Sequence, residues 1–268
     1  MMRVSVLMEN ESAFPYLTGE HGLSLFIETS RHRLILDTGQ SEKTWENARR
    51  MGVDFAAADC VIVSHGHYDH TGGLALFSRE NPSVPVYIRE ESFGEFYRGK
   101  GERYIGVPEE VAEIPALVRV KDPVLPVDGG LLLFSGVKPQ SVSEKLTEKR
   151  GNIFVPDEFS HEQNIVVTEG EERVLFCGCA HCGVLSVMEK CREVTGAYPT
   201  ALVGGFHMKK EGEYTPEEVE KIEKTAEKLL EYPTAYYTGH CTGQAAEILR
   251  KKMGDRLKRF RAGDVFRP

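Results

Sequence analysis

Short apolar runs, bounded by glycine, proline or charged residues, alternate with longer amphipathic stretches along most of the chain. The apolar runs predict strands at 4–8, 23–29, 33–39, 60–64, 84–88, 130–135, 165–168 and 173–177, and further strands that begin at 200 and 234. The amphipathic stretches predict helices at 41–51, 74–79, 184–194, 215–230 and 244–252. This alternation predicts an α/β layered protein, and no repeat or linker divides residues 1–268 into separate domains.

The pattern is lost between about residues 90 and 130. Glycines at 94, 99, 101 and 106 and four prolines give this stretch the composition of a loop. Long irregular segments in a compact domain are usually functional, so we predict a lid-like insertion over the site. Its Arg98 and Arg103 are candidates to hold an anionic substrate, and the alternative is that both are simply solvated.

Composition limits the partners and the compartment. The formal net charge of -8 gives no general attraction to nucleic acid or to an anionic membrane, and no run approaches the roughly 20 apolar residues of a membrane span. The N-terminal residues lack the apolar core of a signal peptide. Four of the six cysteines cluster at 177–191 beside a histidine, which favours reduced thiols and a cytoplasmic protein. We expect a small-molecule substrate, no nucleic-acid or membrane partner, and leave a homo-oligomer open.

The densest chemistry lies in His65-Gly-His-Tyr-Asp-His70, directly after the strand at 60–64. Buried imidazoles and a carboxylate need a partner, and a divalent ion such as Zn²⁺ accepts these ligands. His65 and His67 are two apart on an extended loop and project to one side, so they can share one ion. Asp69 and His70 lie beyond the turn and can serve a second ion. The alternative is a solvated polar turn.

Three later strands also end in histidine-bearing loops. His181 lies in Cys-Gly-Cys-Ala-His-Cys-Gly at 177–183, and His207 and His240 follow the strands that begin at 200 and 234. Ligands of open α/β sheets bind at the carboxyl ends of strands, so we expect these side chains at one edge. Asp37, at another strand end, either caps the next helix or accepts a proton from the far nitrogen of a ligand histidine.

The double glycine before His207 is the candidate for close contact between backbone and substrate. Gly204 and Gly205 carry no side chain that would keep a substrate away. His207 itself is a candidate for substrate binding or for donating a proton to a leaving group. The alternative is a histidine that caps a helix or packs.

The motif His65-x-His67-x-Asp69-His70, with Asp37 upstream and His181 and His240 downstream, resembles the metallo-β-lactamase superfamily. Gly-Cys-Ala-His-Cys-Gly at 178–183, Gly-Gly-Phe-His at 204–207 and Thr-Gly-His-Cys-Thr-Gly at 238–243 resemble the branch of that superfamily that contains an archaeal pterin-type synthase. The resemblance implies a four-layer αβ/βα sandwich with one or two divalent ions at one edge. Zn²⁺ is the expected metal, and Mn²⁺, Fe²⁺ and Mg²⁺ are alternatives.

Matched motif by motif, the resemblance implies that His65, His67 and His181 bind one ion. It implies that Asp69, His70 and His240 bind the other. Cys179 occupies the approximate place of the usual bridging aspartate, so a thiolate could bridge and the occupancy of the second site is open. His161 lies near the place where many members carry their third histidine ligand. Because His181 takes that role, we interpret His161 as a surface residue.

The favoured function is a metal-dependent hydrolase in which activated water attacks a small, phosphorylated or heterocyclic substrate. Asp69 would orient the nucleophile in addition to binding metal, and His207 would act at the leaving group. The first alternative, implied by the resemblance, is a transferase that condenses a dihydropterin diphosphate with an aminobenzene ribotide. The second alternative is a non-catalytic metal-binding or sensing protein.

Overall fold

Two seven-stranded sheets face each other across a shared apolar layer in a computed structural model that describes residues 1–140 and 145–268. In chain order, the strands of these residues are β1 (Arg3–Met8), β2 (Ser24–Glu28), β3 (Arg33–Leu36), β4 (Cys60–Ile62), β5 (Val86–Arg89), β6 (Glu95–Arg98), β7 (Arg103–Tyr104), β8 (Leu117–Val120), β9 (Val124–Pro126), β10 (Leu131–Ser135), β11 (Leu146–Arg150), β12 (Ile153–Pro156), β13 (Gln163–Glu169), β14 (Glu172–Phe176), β15 (Ala201–Gly204), β16 (Ala235–Thr238), β17 (Leu257–Arg259) and β18 (Val265–Phe266). The α-helices are α1 (Lys43–Arg50), α2 (Tyr68–Thr71), α3 (Leu74–Glu80), α4 (Val184–Thr195), α5 (Pro216–Leu230) and α6 (Ala245–Met253).

The first sheet has the order β18-β1-β2-β3-β4-β5-β8, and the second has the order β17-β16-β15-β14-β13-β10-β9. In the first sheet β3, β4, β5 and β8 run parallel to one another, as do β14, β15, β16 and β17 in the second. Parallel strands joined through helices bring their carboxyl ends to the same edge of a sheet. Each sheet therefore offers one edge where several loops meet.

The packing gives four layers. Side chains of both sheets, such as Leu25, Ile62, Leu133 and Val203, form the central apolar cluster. The outer face of the second sheet packs against α4, α5 and α6, and the outer face of the first packs against α1 and α3. The predicted α/β class and the four-layer sandwich are thus confirmed.

Local sequence explains why α5 begins where it does. Thr215 precedes the first helical residue, Pro216, and its hydroxyl accepts a hydrogen bond from the backbone N–H of Glu218 at 3.3 Å. The Glu218 carboxylate in turn accepts from the backbone N–H of Thr215 at 2.8 Å, which completes a capping box. The helix buries Ile222, and the predicted start at 215 agrees with the structure.

The segment 90–130 is more regular than its sequence suggests. Strand β8 extends the first sheet beside β5, and β9 extends the second beside β10. Strands β6 and β7 join β11 and β12 in a separate four-stranded sheet. These strands are only two to four residues long, so they leave no local periodic signal. The lid-like role of this segment stays a prediction.

No helix among the described residues is both long enough and apolar enough to cross a lipid bilayer.

Candidate metal centre

Five strand ends supply the candidate site. Asp37 follows β3 and His65 follows β4 in the first sheet, whereas Cys179, His207 and His240 follow β14, β15 and β16 in the second. Four residues at these ends have left-handed backbone angles: Asp37 (φ 58°), Ala180 (φ 48°), His207 (φ 46°) and His240 (φ 51°). Such angles cost free energy in residues other than glycine and tend to cluster at functional sites. The backbone therefore bends sharply where the polar side chains meet.

The three residues predicted to share one ion lie together. The ligand atoms of His65, His67 and His181 are all within 4.8 Å of one another, and the Nε2 atoms of His65 and His181 are 3.2 Å apart. His65 and His67 are buried. Burial lowers the pKa of His67 to about 3 and holds the pKa of His65 and His181 well below the usual range, with neighbouring imidazoles adding to the effect. All three rings are neutral at pH 7 and can present lone pairs to a cation.

Asp37 fixes which nitrogen of two histidines carries the proton. Its carboxylate accepts hydrogen bonds from His70 Nδ1 at 2.6 Å, from Ser64 Oγ at 2.7 Å and from Ser64 N at 2.7 Å. Because Ser64 Oγ donates to Asp37, it accepts from His65 Nδ1 at 2.9 Å. Both rings thus carry a proton on Nδ1 and turn Nε2 towards the centre of the site. This arrangement is typical of histidines that bind metals, in which the far nitrogen donates to a carboxylate or a hydroxyl.

The second predicted set surrounds one carboxylate oxygen. Asp69 Oδ2 lies 3.3 Å from His240 Nε2 and 3.5 Å from His70 Nε2. His240 Nδ1 donates to Asn10 Oδ1 at 3.0 Å, so its Nε2 is also free to bind. Burial alone would raise the pKa of Asp69, but the positive field of His70 and the adjacent imidazoles of His240 and His21 hold it well below the usual range. Asp37 and Asp69 likewise outweigh burial at His70 and raise its pKa to about 9, so a cation that binds His70 Nε2 must displace a proton from that nitrogen.

His21 joins this second set, although no motif in the sequence selects it. Its Nε2 is 3.2 Å from Asp69 Oδ2, and its ring stacks on His240 with centroids 5.1 Å apart. His21 lies in the loop between β1 and β2, outside any motif, and its side chain is 46% exposed. It therefore connects Asp69 with the solvent.

His161 is not a surface residue, which corrects the prediction. Its side chain is completely buried, 5.2 Å from the ring of His67 between centroids. Its Nδ1 accepts a hydrogen bond from Gly66 N at 3.0 Å and its Nε2 donates to Asp157 at 3.1 Å. Both nitrogens are in use, so His161 supports the backbone of the histidine motif instead of binding an ion. The sequence alone could not show this because Asp157 and His161 lie in a loop far from the motif along the chain.

Two buried glutamates hold the ligand loops and were also missed. Glu9 accepts a hydrogen bond from the backbone N–H of His240 at 2.5 Å. Glu162 accepts from the backbone N–H of His181 at 2.7 Å. Burial raises the pKa of both carboxyl groups, and these hydrogen bonds oppose the rise. Single acidic residues beside apolar strands carry no sequence signal for such a role.

Cys179 lies where the motif comparison expects it. Its Sγ is 3.4 Å from His70 Nε2, and its ligand atom is within 4.8 Å of those of His65 and His70. On its other side it meets Cys241 and His207, which form a further cluster with it. Burial raises the pKa of Cys179. Burial would also raise that of Cys241, but hydrogen bonds from Cys179 and His207 hold it well below the usual thiol range.

His207 and the glycines before it have different surroundings. The His207 side chain is exposed, and its ring lies 4.0 Å from that of His181 between centroids. Gly204 and Gly205 are buried. A Cβ at Gly204 would meet the Cys177 carbonyl oxygen at 2.2 Å, and one at Gly205 would meet Cys241 Sγ at 2.4 Å. The close approach predicted at the glycines is made to the protein's own atoms, which explains the glycines without a substrate.

One of the two predicted arginines contacts the motif, and the other pairs with a distant glutamate. Arg103 Nη2 donates to the Tyr68 hydroxyl at 3.0 Å, and its guanidinium stacks over the Tyr68 ring at 5.0 Å. Arg98 pairs with Glu211 at 3.3 Å, and both side chains are well exposed. Tyr68 stands between His67 and Asp69 in the chain, so Arg103 is close to the ligand loop.

The donor set fits divalent ions. The buried atoms His67 Nε2, His181 Nδ1 and His240 Nε2 have no hydrogen-bond partner within residues 1–140 and 145–268. Buried polar nitrogens without partners cost free energy, and a metal ion removes that cost. Neutral imidazoles, a carboxylate and a thiol are the ligands of Zn²⁺ and related ions.

Comparisons with known proteins show the family to which the chain belongs. The family model described as the metallo-beta-lactamase superfamily matches residues 17–237. An uncharacterised protein of Methanocaldococcus jannaschii is 29% identical over 217 residues, which cover 76% of this chain and 79% of that protein. The 7,8-dihydropterin-6-methyl-4-(beta-D-ribofuranosyl)-aminobenzene-5'-phosphate synthase of the same organism is 24% identical over 270 residues, covering 92% of this chain and 90% of the synthase.

One solved structure is similar along its whole length. Tm1679, a metal-dependent hydrolase of the beta-lactamase superfamily, is 28% identical with a TM-score of 0.84, and the match covers 100% of this chain and 99% of that one.

Proposed function

Because the chain belongs to the metallo-β-lactamase superfamily, whose members are generally metal-dependent hydrolases, we propose that it is a metal-dependent hydrolase of a small phosphorylated or heterocyclic substrate. The family resemblance read from the sequence is confirmed by the match over residues 17–237. The finer assignment of reaction and substrate is our proposal.

One observation supports it most. The Nε2 atoms of His65 and His181 stand 3.2 Å apart, and the hydrogen bond of His65 through Ser64 to Asp37 leaves its Nε2 without a proton. A separation of 3.2 Å suits two imidazole nitrogens that bind the same divalent ion, each at about 2.0–2.1 Å. His65, His67 and His181 would hold one divalent ion, and Asp69, His70 and His240 a second, with Cys179 near both sets.

Bound divalent ions in such a centre supply hydroxide at neutral pH and stabilise negative charge on attacking and leaving oxygens. The protein adds orientation and proton transfer. Asp69 is held ionised, so its Oδ2 can accept a hydrogen bond from the attacking water in addition to binding metal. His21 contacts the same oxygen from the solvent side and can pass protons outward.

His207 is the proposed proton donor to the leaving group. Neighbouring atoms that displace water from its ring lower the pKa, but the hydrogen bond with Cys241 and the negative charges of Cys241, Glu162 and Asp69 together raise it above the usual value. A histidine with a raised pKa retains its proton more readily, which suits general acid catalysis. Its exposed side chain lies beside His181 and can reach a substrate that enters from solvent.

The test is hydrolysis in heavy-oxygen water. Metal-free protein would be reloaded with Zn²⁺ or Mn²⁺ and supplied with chromogenic phosphate monoesters, phosphodiesters and cyclic amides. We expect solvent oxygen in the product, with turnover abolished in His67→Ala and retained in His32→Ala, a histidine that pairs with Asp128 away from the site. Full turnover in His67→Ala would contradict the proposal.

A second candidate function has specific support. The synthase of Methanocaldococcus jannaschii is similar over 92% of this chain, and Arg103 lies beside the ligand loop, where a cation could assist the departure of a diphosphate. The chain would then condense a dihydropterin diphosphate with an aminobenzene ribotide. Diphosphate release that requires the aromatic amine would favour this transferase, whereas release in its absence with solvent oxygen in the product would favour the hydrolase.

A further inference from the structure

An ion pair joins two arms of the chain, and each arm contacts a ligand-bearing loop of the proposed metal centre. Strand β6 ends at Arg98, whose guanidinium pairs with Glu211 at 3.3 Å in the loop that follows β15. The same loop carries Lys209, and the strand next to β6 carries Arg103. The ion pair therefore bridges the small sheet, which also carries Arg103, and the loop after His207, which also carries Lys209.

Arg103 and Lys209 are both anchored near the site. Arg103 is held on the Tyr68 ring, with its Nη2 3.0 Å from the hydroxyl. Lys209 N donates to the Cys241 carbonyl oxygen at 2.8 Å, and its stem covers Gly243, where an added Cβ would lie 2.8 Å from Lys209 Cγ. The positive charge of Lys209 also reaches His21, where it helps to lower the pKa of the imidazole.

Neither cation has a carboxylate within 4.0 Å in the described ranges 1–140 and 145–268, although the chain carries 41 acidic residues against 33 lysines and arginines. Many exposed cations elsewhere are paired, such as Lys43 with Glu20 and Lys149 with Glu95. Cations that have no counter-charge and lie near the proposed metal centre are suited to bind an anionic ligand.

We propose that Arg103, Lys209 and the Tyr68 hydroxyl form an anion site that binds a phosphate group of the substrate beside the metal centre. The guanidinium offers a fork of donors and the ammonium a compact charge, and both bind phosphate well. Tyr68 accepts from Arg103, so its own proton is free to donate to a phosphate oxygen. Because Tyr68 separates His67 from Asp69, a phosphate held there would fix the substrate against the ligand loop.

This inference rests on the proposed function only for the identity of the ligand as a substrate, so binding is measured without turnover. Isothermal titration of metal-free protein with inorganic phosphate reports the anion site alone. We expect Arg103→Ala and Lys209→Ala each to weaken phosphate binding about tenfold, the usual cost of removing a charged donor. Unchanged affinity in both variants would overturn the proposal.

The chain offers close controls. Arg192 donates to the Tyr198 hydroxyl at 3.1 Å and stacks over that ring at 5.1 Å, which reproduces the Arg103–Tyr68 pair outside the site. Arg192→Ala, and Lys251→Ala on α6, should leave phosphate affinity unchanged. Phosphate binding that weakens equally in these controls would show a general charge effect and contradict a defined site.

Turnover separates this inference from the proposed hydrolase. With a phosphorylated substrate, Arg103→Ala and Lys209→Ala should raise KM about tenfold and retain kcat, and neither should affect an uncharged substrate. If both variants lose phosphate binding but the wild-type protein hydrolyses no substrate, the anion-site proposal stands and the hydrolase proposal is refuted. If the wild-type protein hydrolyses phosphorylated substrates and neither variant changes KM, the anion-site proposal is refuted and the hydrolase proposal stands.

Discussion

Replacement of Asp37 by Asn should weaken metal binding although Asp37 is not a proposed ligand. The buried carboxylate accepts three hydrogen bonds, from Ser64 N at 2.7 Å, Ser64 Oγ at 2.7 Å and His70 Nδ1 at 2.6 Å. The amide that replaces the Asp37 carboxylate would keep one oxygen as an acceptor, but its NH₂ group would take the place of the other oxygen and would face hydrogen-bond donors of Ser64 or His70. His70 would move its proton to Nε2 to satisfy the amide, and it would lose the lone pair that a metal needs.

The size of the effect follows from these contacts. Groups that orient metal-binding histidines typically contribute about 10–100-fold in metal affinity, which is about 1.4–2.8 kcal/mol. The metal-free protein loses a charged acceptor in a fully buried position, so its free energy of unfolding should fall by about 3 kcal/mol. The affinity of Asp37→Asn for Zn²⁺ can be measured by competition with a chromophoric chelator, and its stability by urea unfolding.

Asp128→Asn is the matched control. Asp128 pairs with His32 Nε2 at 2.9 Å, at the opposite ends of the strands, and its side chain is 39% exposed. This variant should keep wild-type Zn²⁺ affinity, and it should lose little stability because exposed pairs contribute about 0–1 kcal/mol. Wild-type affinity in Asp37→Asn as well would refute the argument that Asp37 sets the proton positions of the ligand histidines.

Three further predictions concern the site. Cys179→Ala should lower the metal content from two ions per chain towards one, measured by mass spectrometry, because Cys179 Sγ lies 3.4 Å from His70 Nε2 and near the first set. His207→Ala should keep the bound metal and lower kcat, by about 10²–10⁴-fold if it is the proton donor, measured in steady-state assays. The metal-free protein should lose stability as the pH falls from about 6.5 to about 3, because His67 takes up a proton in the unfolded chain near 6.5 but in the fold only near 3. Urea unfolding at several pH values should show a slope of up to about 1.4 kcal/mol per pH unit from this group, and the slope should become shallower in His67→Asn.

Each of these has a distinct contrary result. A metal content unchanged in Cys179→Ala would assign Cys179 to packing. Loss of metal in His207→Ala would make His207 a ligand. A pH dependence identical in wild type and His67→Asn would mean that His67 is not buried in its neutral form.

The sequence sufficed for the parts of the fold and site that have local signals. Apolar runs that end in histidine predicted which strand ends meet, because parallel strands put their carboxyl ends at one edge. The capping box at Thr215 predicted the start of α5. His65, His67 and His181 were grouped through the family resemblance, and in the structure they lie within 4.8 Å of one another.

Residues whose role depends on distant contacts could not be found in this way. His21 meets Asp69, and Glu9 holds the backbone of His240, across 231 positions of the chain. His161 was misassigned because its burial follows from contacts with Gly66 and Asp157 that no local pattern records. The short strands at 95–104 were missed because segments of two and four residues leave no hydrophobic period.

The metal content of purified protein and of His67→Ala, compared with turnover in each, tests most directly whether the histidine cluster is a catalytic metal centre. Our account predicts one or two divalent ions per wild-type chain, with Zn²⁺ expected, and loss of metal and activity together in His67→Ala but not in His32→Ala. Wild-type protein that binds no ion after growth with added Zn²⁺, Mn²⁺ or Fe²⁺, or a His67→Ala variant that keeps its metal and full turnover, would contradict it.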